Sequence, residues 1–252
     1  LSAALIEATG LEMRYVTGRL ALDGASLAVL PGEFAVILGA NGSGKSTMLR
    51  IIAGIAKPSA GEVRIAGQDI TALTGRRLAA ARMALGMVFQ HANLVKRRSV
   101  LANVLCGTLG RHRNLATSLG MLPREEIPFG MNCLEQVGLA KFAAQRASTL
   151  SGGQAQRASI ARALAQRPQA LLADEPVASL DPEASEEVMR LLRRLATDQG
   201  MAVLCVLHQP ELARRYADRL LGLRKGMIAF ADHPSRVSDG EIDSLYEGFH
   251  PA

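Results

Sequence analysis

The chain has 252 residues, 48% of them hydrophobic and 21% charged, enough to bury the core of one large α/β domain or of a core domain with a smaller subdomain. No apolar run approaches the roughly 18 to 20 residues that a membrane span needs, and the longest, such as AVLCVL at 202–207, have strand length. The net charge of +6 suits nucleic acid, an anionic membrane surface or nucleotide phosphates, but 4% aromatics give little support to a stacking surface for single-stranded nucleic acid.

Cys106, Cys133 and Cys205 are scattered among apolar neighbours. They indicate neither a disulfide framework nor a CxxC metal site, and point to buried, reduced thiols in a cytosolic chain. No basic segment followed by a secretory apolar core opens the sequence, and Leu1 in first place points to a trimmed start or an alternative initiation codon.

In chain order, Leu11 to Leu30 alternates short apolar stretches around Gly18 and Gly24 and reads as strand and turn. PGEFAVILGANGSGKSTMLRIIAGI then gives an apolar strand, a Gly-rich loop and an apolar helix, a βα unit. GEVRIAGQDI at 61–70 reads as a strand pair with a turn and MALGMVFQ at 83–90 as another strand, and these pieces are expected to form a small antiparallel layer beside the main sheet. Residues 91 to about 168 are mostly helix-like, with loops expected at 107–130. ALLAD at 170–174 and AVLCVLHQ at 202–209 read as buried strands joined by a helix from about Pro182 to Thr197, a parallel βαβ crossover. RLLGLRKGMIAF at 219–230 reads as a hairpin, and a polar, Pro-containing tail follows. No repeat is present, so a single nucleotide domain is expected. It divides into a β subdomain with the phosphate-loop core over 1–90, a helical subdomain over 91–168, the remainder of the core over 169–230 and the tail over 231–252.

GANGSGKST at 39–47 fits GxxxxGK[ST] between a strand and a helix. Gly39, Asn41, Gly42, Ser43 and Gly44 can curl the backbone so that its N–H groups and the following helix N-terminus face phosphate oxygens. Lys45 then reaches the β- and γ-phosphates, Ser46 sets a hydroxyl on Mg²⁺, and Thr47, the next residue, is expected to bind the nucleotide as well. Asp174 and Glu175 end a strand at the sheet edge where ligands bind. Asp174 is expected to hold Mg²⁺ through water and Glu175 to orient and polarise the water attacking the γ-phosphoryl group, although a turn and helix cap beside Pro176 would use the same pair. Gln90 follows a strand, where its amide can reach Mg²⁺ or that water, or be a plain polar end. His208 caps AVLCVL and can bond a γ-phosphate oxygen, or a single backbone group. Tyr15, about thirty residues before Lys45, can stack on adenine, or be a half-buried strand tyrosine.

LSGGQ at 150–154 starts a second Gly-rich helix, whose serine hydroxyl and free N–H groups offer an anion site displaced from the first. A second copy related by a two-fold axis would bring its LSGGQ to the uncovered face of the γ-phosphate, so that two ATP molecules act between two chains and hydrolysis opens the pair.

Taken together and in this order, GANGSGKST, Gln90, LSGGQ, LLADEP, SLD at 179–181 and His208 resemble an ATP-binding cassette ATPase. The resemblance implies a P-loop NTPase of α/β class with a mainly parallel core sheet, an antiparallel β subdomain and a helical subdomain, using ATP and Mg²⁺. It implies that Ser151, Gly153 and Gln154 serve the partner's ATP and that Asp181 links the two sites across the dimer. NLVKRRSVLANVLCGTLGR at 93–111, ADEPVASLDP at 173–182 and LHQPELARRYADRLLGLRKG at 207–226 resemble, more narrowly, the ATP-binding subunit of the bacterial phosphonate importers. There LHQPEL departs at two places from the commoner LHQVDL. That likeness implies import of phosphonate, phosphite or a related oxyanion, with membrane permease subunits and a periplasmic binding protein as partners. The chain itself would be peripheral on the cytoplasmic face of the inner membrane. The groove between Gln90 and the helical subdomain, near Asn93, Leu94, Val95, Lys96, Arg97 and Arg98, is expected to take a permease helix, unless KRR is simply solvated surface. A soluble relative acting on DNA or ribosomes would carry two cassettes, a coiled coil or a zinc module; this sequence has none, and no nucleic acid is expected as partner.

Overall fold

The computed structural model describes residues 3–112, 121 and 124–247. Two strands come first, β1 (Ile6–Arg14) and β2 (Leu20–Val29), followed by β3 (Phe34–Leu38) and helix α1 (Lys45–Ile52). Next are β4 (Ala60–Ile65), β5 (Gln68–Asp69), α2 (Gly75–Ala81) and β6 (Leu85–Val88). A helical region holds α3 (Val100–Leu105), α4 (Ile127–Gln136) and α5 (Gly152–Leu164). The chain returns through β7 (Ala170–Asp174), α6 (Pro182–Gln199), β8 (Ala202–Val206) and α7 (Pro210–Tyr216), and continues with β9 (Arg219–Arg224), β10 (Met227–Asp232) and α8 (Asp239–Ser244).

A four-stranded antiparallel sheet has the order β2-β1-β4-β5, and a six-stranded sheet the order β10-β9-β3-β8-β7-β6. Within the larger sheet every pairing is parallel except that of β9 with β10. Strands buried on both faces read as continuous apolar runs, and all five residues of β3 are inaccessible to solvent. Their side chains nevertheless divide by the two-residue period of a strand. Phe34, Val36 and Leu38 join Leu171, Val203 and the α5 and α6 side chains on one face. Ala35 and Ile37 join Leu172, Leu204, α1 and the antiparallel sheet on the other. Helices α5 and α6 therefore sit on the side of the sheet opposite α1.

Four sequence expectations are corrected. Residues 85–88 do not belong to the antiparallel layer: β6 pairs in parallel with β7 at the edge of the main sheet, because Leu85 and Val88 bury on its two faces. Gly24 is not in a turn but inside β2, at positive φ, beside a register shift against β1. The loop expected to reach residue 130 ends at 127, where Pro128 opens α4; residues 113–120, 122 and 123 lie outside the described residues. The tail is not without structure. Ser238 and Glu241 form a reciprocal capping box at the start of α8, and Val237, Ile242 and Leu245 bury against the main core; residues 248–252 lie outside the description. Cys133 and Cys205 are buried and Cys106 half-buried, all three free. Burial raises the Cys133 thiol to about 11 and lifts that of Cys205 well above its ordinary range, so both stay protonated.

Because β3 carries the nucleotide loop at its end, core packing under it fixes the loop. Ile37→Ala should destabilise the nucleotide-free chain by about 2–5 kcal/mol in urea unfolding; a loss below about 1 kcal/mol would contradict this packing.

Candidate functional site

Three parallel neighbours deliver the polar residues to one edge of the sheet. Val206 of β8 stands opposite Ile37 of β3 on one side and Asp174 of β7 on the other. The chain leaving β3 forms the Gly-rich loop, that leaving β7 carries Glu175, and that leaving β8 carries His208. All lie at carboxyl ends of strands, where ligands of open α/β sheets bind.

Two glycines of the loop are enforced by contact. A Cβ on Gly39 would run into the carbonyl oxygen of Leu223, and one on Gly44 into that of Ala21, each at positive φ. Gly44 thereby sets the loop directly on the N-terminus of α1, where unpaired N–H groups and the helix dipole favour anions. Lys45 is buried at the head of this helix and donates to the carbonyls of Gly39 at 2.7 Å and Ala40 at 2.8 Å. Burial lowers its pKa, while Glu175 and Asp174 act the other way. Ser43 is buried and its hydroxyl has no partner; a loop that strands a buried hydroxyl is one shaped for an acceptor ligand. Asn41 and Gly42 are exposed on the rim.

A pocket of about 260 Å³ lies over the loop, lined by Asn41, Gly42, Gly44, Lys45, Ser46 and Thr47 together with Tyr15 and Glu175. The Tyr15 hydroxyl is 3.1 Å from Thr47 Oγ1, and the ring, 38% exposed, follows β1 in the turn to β2 instead of lying in a strand. Arg19, from the same turn, also lines the pocket and donates to the carbonyl of Gly42 at 3.1 Å. Sequence reasoning missed Arg19. Its only signal was a cation four residues after Tyr15, which acquires meaning once the turn folds back over the loop.

Across the pocket, Ser46 donates its hydroxyl to Asp174 Oδ1 at 3.4 Å. Burial and the neighbouring Glu175 carboxylate both push the Asp174 pKa up. A hydroxyl and a buried carboxylate side by side, with a second carboxylate next to them, are hard oxygen donors that fit a hard divalent cation. No group of three or more His, Cys, Asp and Glu side chains able to cage a metal occurs among the described residues. Glu175 takes a left-handed backbone at φ 49°, a conformation that costs a non-glycine residue about 1 kcal/mol or more. The turn sends its side chain to His208, whose Nε2 lies 2.5 Å from Glu175 Oε1.

The remaining expected residues stand apart from this pocket. Gln90, two residues past β6, is exposed and forms no part of the pocket wall. Ser151 and Gln154 are engaged with each other: the Ser151 hydroxyl accepts from Gln154 N–H at 3.3 Å, and Gln154 Oε1 accepts from Ser151 N–H at 3.0 Å, a capping box that opens α5. Gly153 is buried where α5 crosses α6, and a Cβ there would come within 2.7 Å of the Ala184 Cβ. Asp181 is the N-cap of α6 and accepts from Ala184 N–H at 2.8 Å. Neither Ser151 nor Gln154 lines the pocket at Lys45.

A second surface joins the two ends of the helical region. Gln156 and Arg162 of α5 hold the segment after β6, Gln156 donating to the carbonyl of Phe89 at 2.9 Å and Arg162 to those of Ala92 and Asn93 at 2.8 Å each. The buried Asn103 amide binds both backbone groups of Val95, and Lys96, Arg97 and Arg98 are exposed beside it. A groove of about 550 Å³ runs between the core and the helical region, with Phe89, Asn93 and Arg162 in its wall.

The ABC transporter family model matches residues 22–178. The chain is 45% identical over 238 residues to a phosphonates import ATP-binding protein PhnC of Nitratidesulfovibrio vulgaris, covering 94% of this chain and 90% of that one. It is 53% identical over 209 residues to one of Frankia casuarinae, covering 83% of each. Among solved structures, it superimposes on the ADP conformation of the ATP-binding cassette MJ1267 with a TM-score of 0.86 and 27% identity, over 98% of this chain and 100% of that one. It also superimposes on the dimeric post-hydrolysis state of the cassette MJ0796 bound to ADP and Pi, with a TM-score of 0.79 and 34% identity, over 91% of this chain and 98% of that one.

The raised Asp174 carboxyl has a definite consequence. The folded chain keeps that proton to higher pH than the unfolded chain, so stability falls as pH climbs from the ordinary carboxylate range to the raised value. Asp174→Asn should therefore raise the thermal midpoint at neutral pH without nucleotide or cation, and differential scanning calorimetry showing a lower midpoint would refute this account.

Proposed function

The chain belongs to the ABC transporter family, and on that premise we propose that its ATP hydrolysis drives uptake of phosphonates, or of a related reduced phosphorus oxyanion, through a separate membrane permease. One observation supports the cargo above all: the likeness to phosphonates import proteins extends over 94% of the chain, helical region included, and is not confined to the nucleotide motifs. No helix among the described residues is long and apolar enough to cross a membrane, in keeping with a permease supplied separately. A periplasmic binding protein completes the assembly, and this subunit works on its cytoplasmic face.

In the proposed mechanism, the loop N–H groups from Gly39 to Gly44, with Asn41 and Ser43, cradle the phosphates of ATP. Lys45 exchanges the Gly39 and Ala40 carbonyls for β- and γ-phosphate oxygens, and Thr47 and Tyr15 hold the nucleotide's flank, the Tyr15 ring against adenine. Ser46 and Asp174, the latter through water, with Gln90 once the segment after β6 moves in, would hold Mg²⁺, which when bound neutralises charge on the transferring phosphoryl group. Glu175 orients water in line with the γ-phosphorus and takes its proton; the new P–O bond forms as the bond to the bridging oxygen breaks, leaving ADP and inorganic phosphate. His208, which holds Glu175 Oε1 in this structure, turns to the γ-phosphate when that group arrives, so its contact reports occupancy.

Ser151, Gly153 and Gln154 complete the site of a second copy, with Asp181 at the seam. Two features favour this. Ser151 and Gln154 are not in the wall of the pocket at Lys45, and a cassette 34% identical to this one is dimeric with ADP and Pi bound. Closure over two ATP molecules and release after hydrolysis would swing α5, and its bonds to Phe89, Ala92 and Asn93 would carry that movement into the groove where a permease helix docks.

Glu175→Gln should retain ATP and accumulate a dimer, because the water loses its base while the phosphate contacts persist. Gel filtration with ATP and Mg²⁺ that finds only monomer would count against the paired site. Changing Arg97 and Arg98 to Ala should leave ATP hydrolysis by the isolated subunit intact while weakening co-purification with the permease; undiminished association would remove the basic patch from the coupling surface.

A further inference from the structure

A cavity of about 530 Å³ opens between α5 and α6, shares no lining residue with the nucleotide pocket, and is not used in the proposed cycle. The two helices touch at Gly153 and Ala184. One turn further along α5 stands Arg157, and about two turns further along α6 stand Arg190 and Leu191, so the cavity occupies the fork beyond the crossing. Four guanidiniums line it, those of Arg157, Arg190, Arg193 and Arg194, against one carboxylate, Glu187. Val137, Leu191 and the Tyr216 ring supply apolar wall.

The charges are only partly compensated. Arg193 pairs with Asp218, and Arg157 reaches Glu187 at 3.3 Å and the carbonyl of Val137 at 3.2 Å. Glu186, the next carboxylate, is taken by Arg215 and the Tyr216 hydroxyl. Arg190 spends its Nε on the carbonyl of Glu186, and neither it nor Arg194 makes an ion pair among the described residues. Arg157 Nε is buried and finds no acceptor. A buried donor left over at the edge of a cavity with a surplus of guanidiniums calls for a multivalent anion with several acceptor oxygens.

We propose that this cavity binds a small phosphoryl dianion, an organic phosphonate or a phosphate ester, with its oxygens between Arg157, Arg190 and Arg194 and its organic substituent against Leu191 and Tyr216. Tetrahedral phosphoryl oxygens accept from planar guanidinium forks on several sides at once, which a single lysine cannot match. A ligand so held ties α5, which begins at Ser151, to α6, which begins at Asp181. It thereby fixes the crossing that positions both ends of the proposed dimer face. The site does not depend on which solute the permease carries.

Calorimetric titration of the nucleotide-free chain with methylphosphonate, inorganic phosphate and sulfate tests this. The parent should bind methylphosphonate saturably and more tightly than sulfate. The double variant R190A/R194A, both positions being exposed, should lose roughly tenfold or more in affinity while keeping its circular dichroism and its basal ATP hydrolysis. Lys45→Ala, which disables the nucleotide loop, should bind methylphosphonate as the parent does. Inorganic phosphate matching methylphosphonate would assign the site to the free anion, and weaker phosphate binding to an organic phosphonate or ester. Absence of saturable binding, parity with sulfate, unchanged affinity in the double variant, or loss in Lys45→Ala would each overturn the proposal. None of these readouts involves transport, so failure of the import reading would leave them unaffected.

Discussion

The site depends on the parallel registration of three strands. With Val206 facing Ile37 on one side and Asp174 on the other, the chain exits from β3, β8 and β7 at one level, and the phosphate loop, His208 and the acidic pair emerge together. Hydrophobic packing enforces the register, since a one-residue slip of β3 would exchange the side chains feeding the two cores. Catalytic geometry is thus a by-product of a sheet packed on both faces.

Within that frame the charged groups hold one another in place. Lys45 is turned onto the loop's own carbonyls, Asp174 receives the Ser46 hydroxyl, and Glu175 faces His208. In the proposed cycle the Lys45 carbonyls give way to phosphate oxygens, Ser46 and Asp174 to a shared cation, and His208 turns from Glu175 to the γ-phosphate. The left-handed Glu175 backbone shows where the fold spends conformational energy at the site, as functional positions often do. For Lys45 the exchange of carbonyl oxygens for phosphate oxygens is nearly a substitution of like for like.

Movement in the proposed cycle would be carried by α5. Its N-terminus offers the capped Ser151, its second residue, Gly153, is pressed on Ala184, and its body is bonded to the segment after β6 through Gln156 and Arg162. One rigid helix therefore connects the proposed dimer face, the core helix α6 and the groove beside Phe89. In the arginine-lined fork beyond the crossing, a small ligand would grip both helices at once.

The sequence alone determined the nucleotide loop, the strand-end acids and the second Gly-rich helix start, because these rest on local rules: glycine where backbone must curl, helix caps, and apolar runs with a carboxylate at the end. It also determined the βαβ return through α6 and the terminal hairpin of β9 and β10. Tertiary structure alone decided the rest. Residues 85–88 looked the same as an antiparallel strand, and only pairing with β7 put them in the main sheet; the tail found its helix because a capping box and three apolar side chains met the core. Arg19 and the fork arginines carry no local signature, since a surface cation becomes a ligand only when chain segments distant in sequence bring it against a pocket.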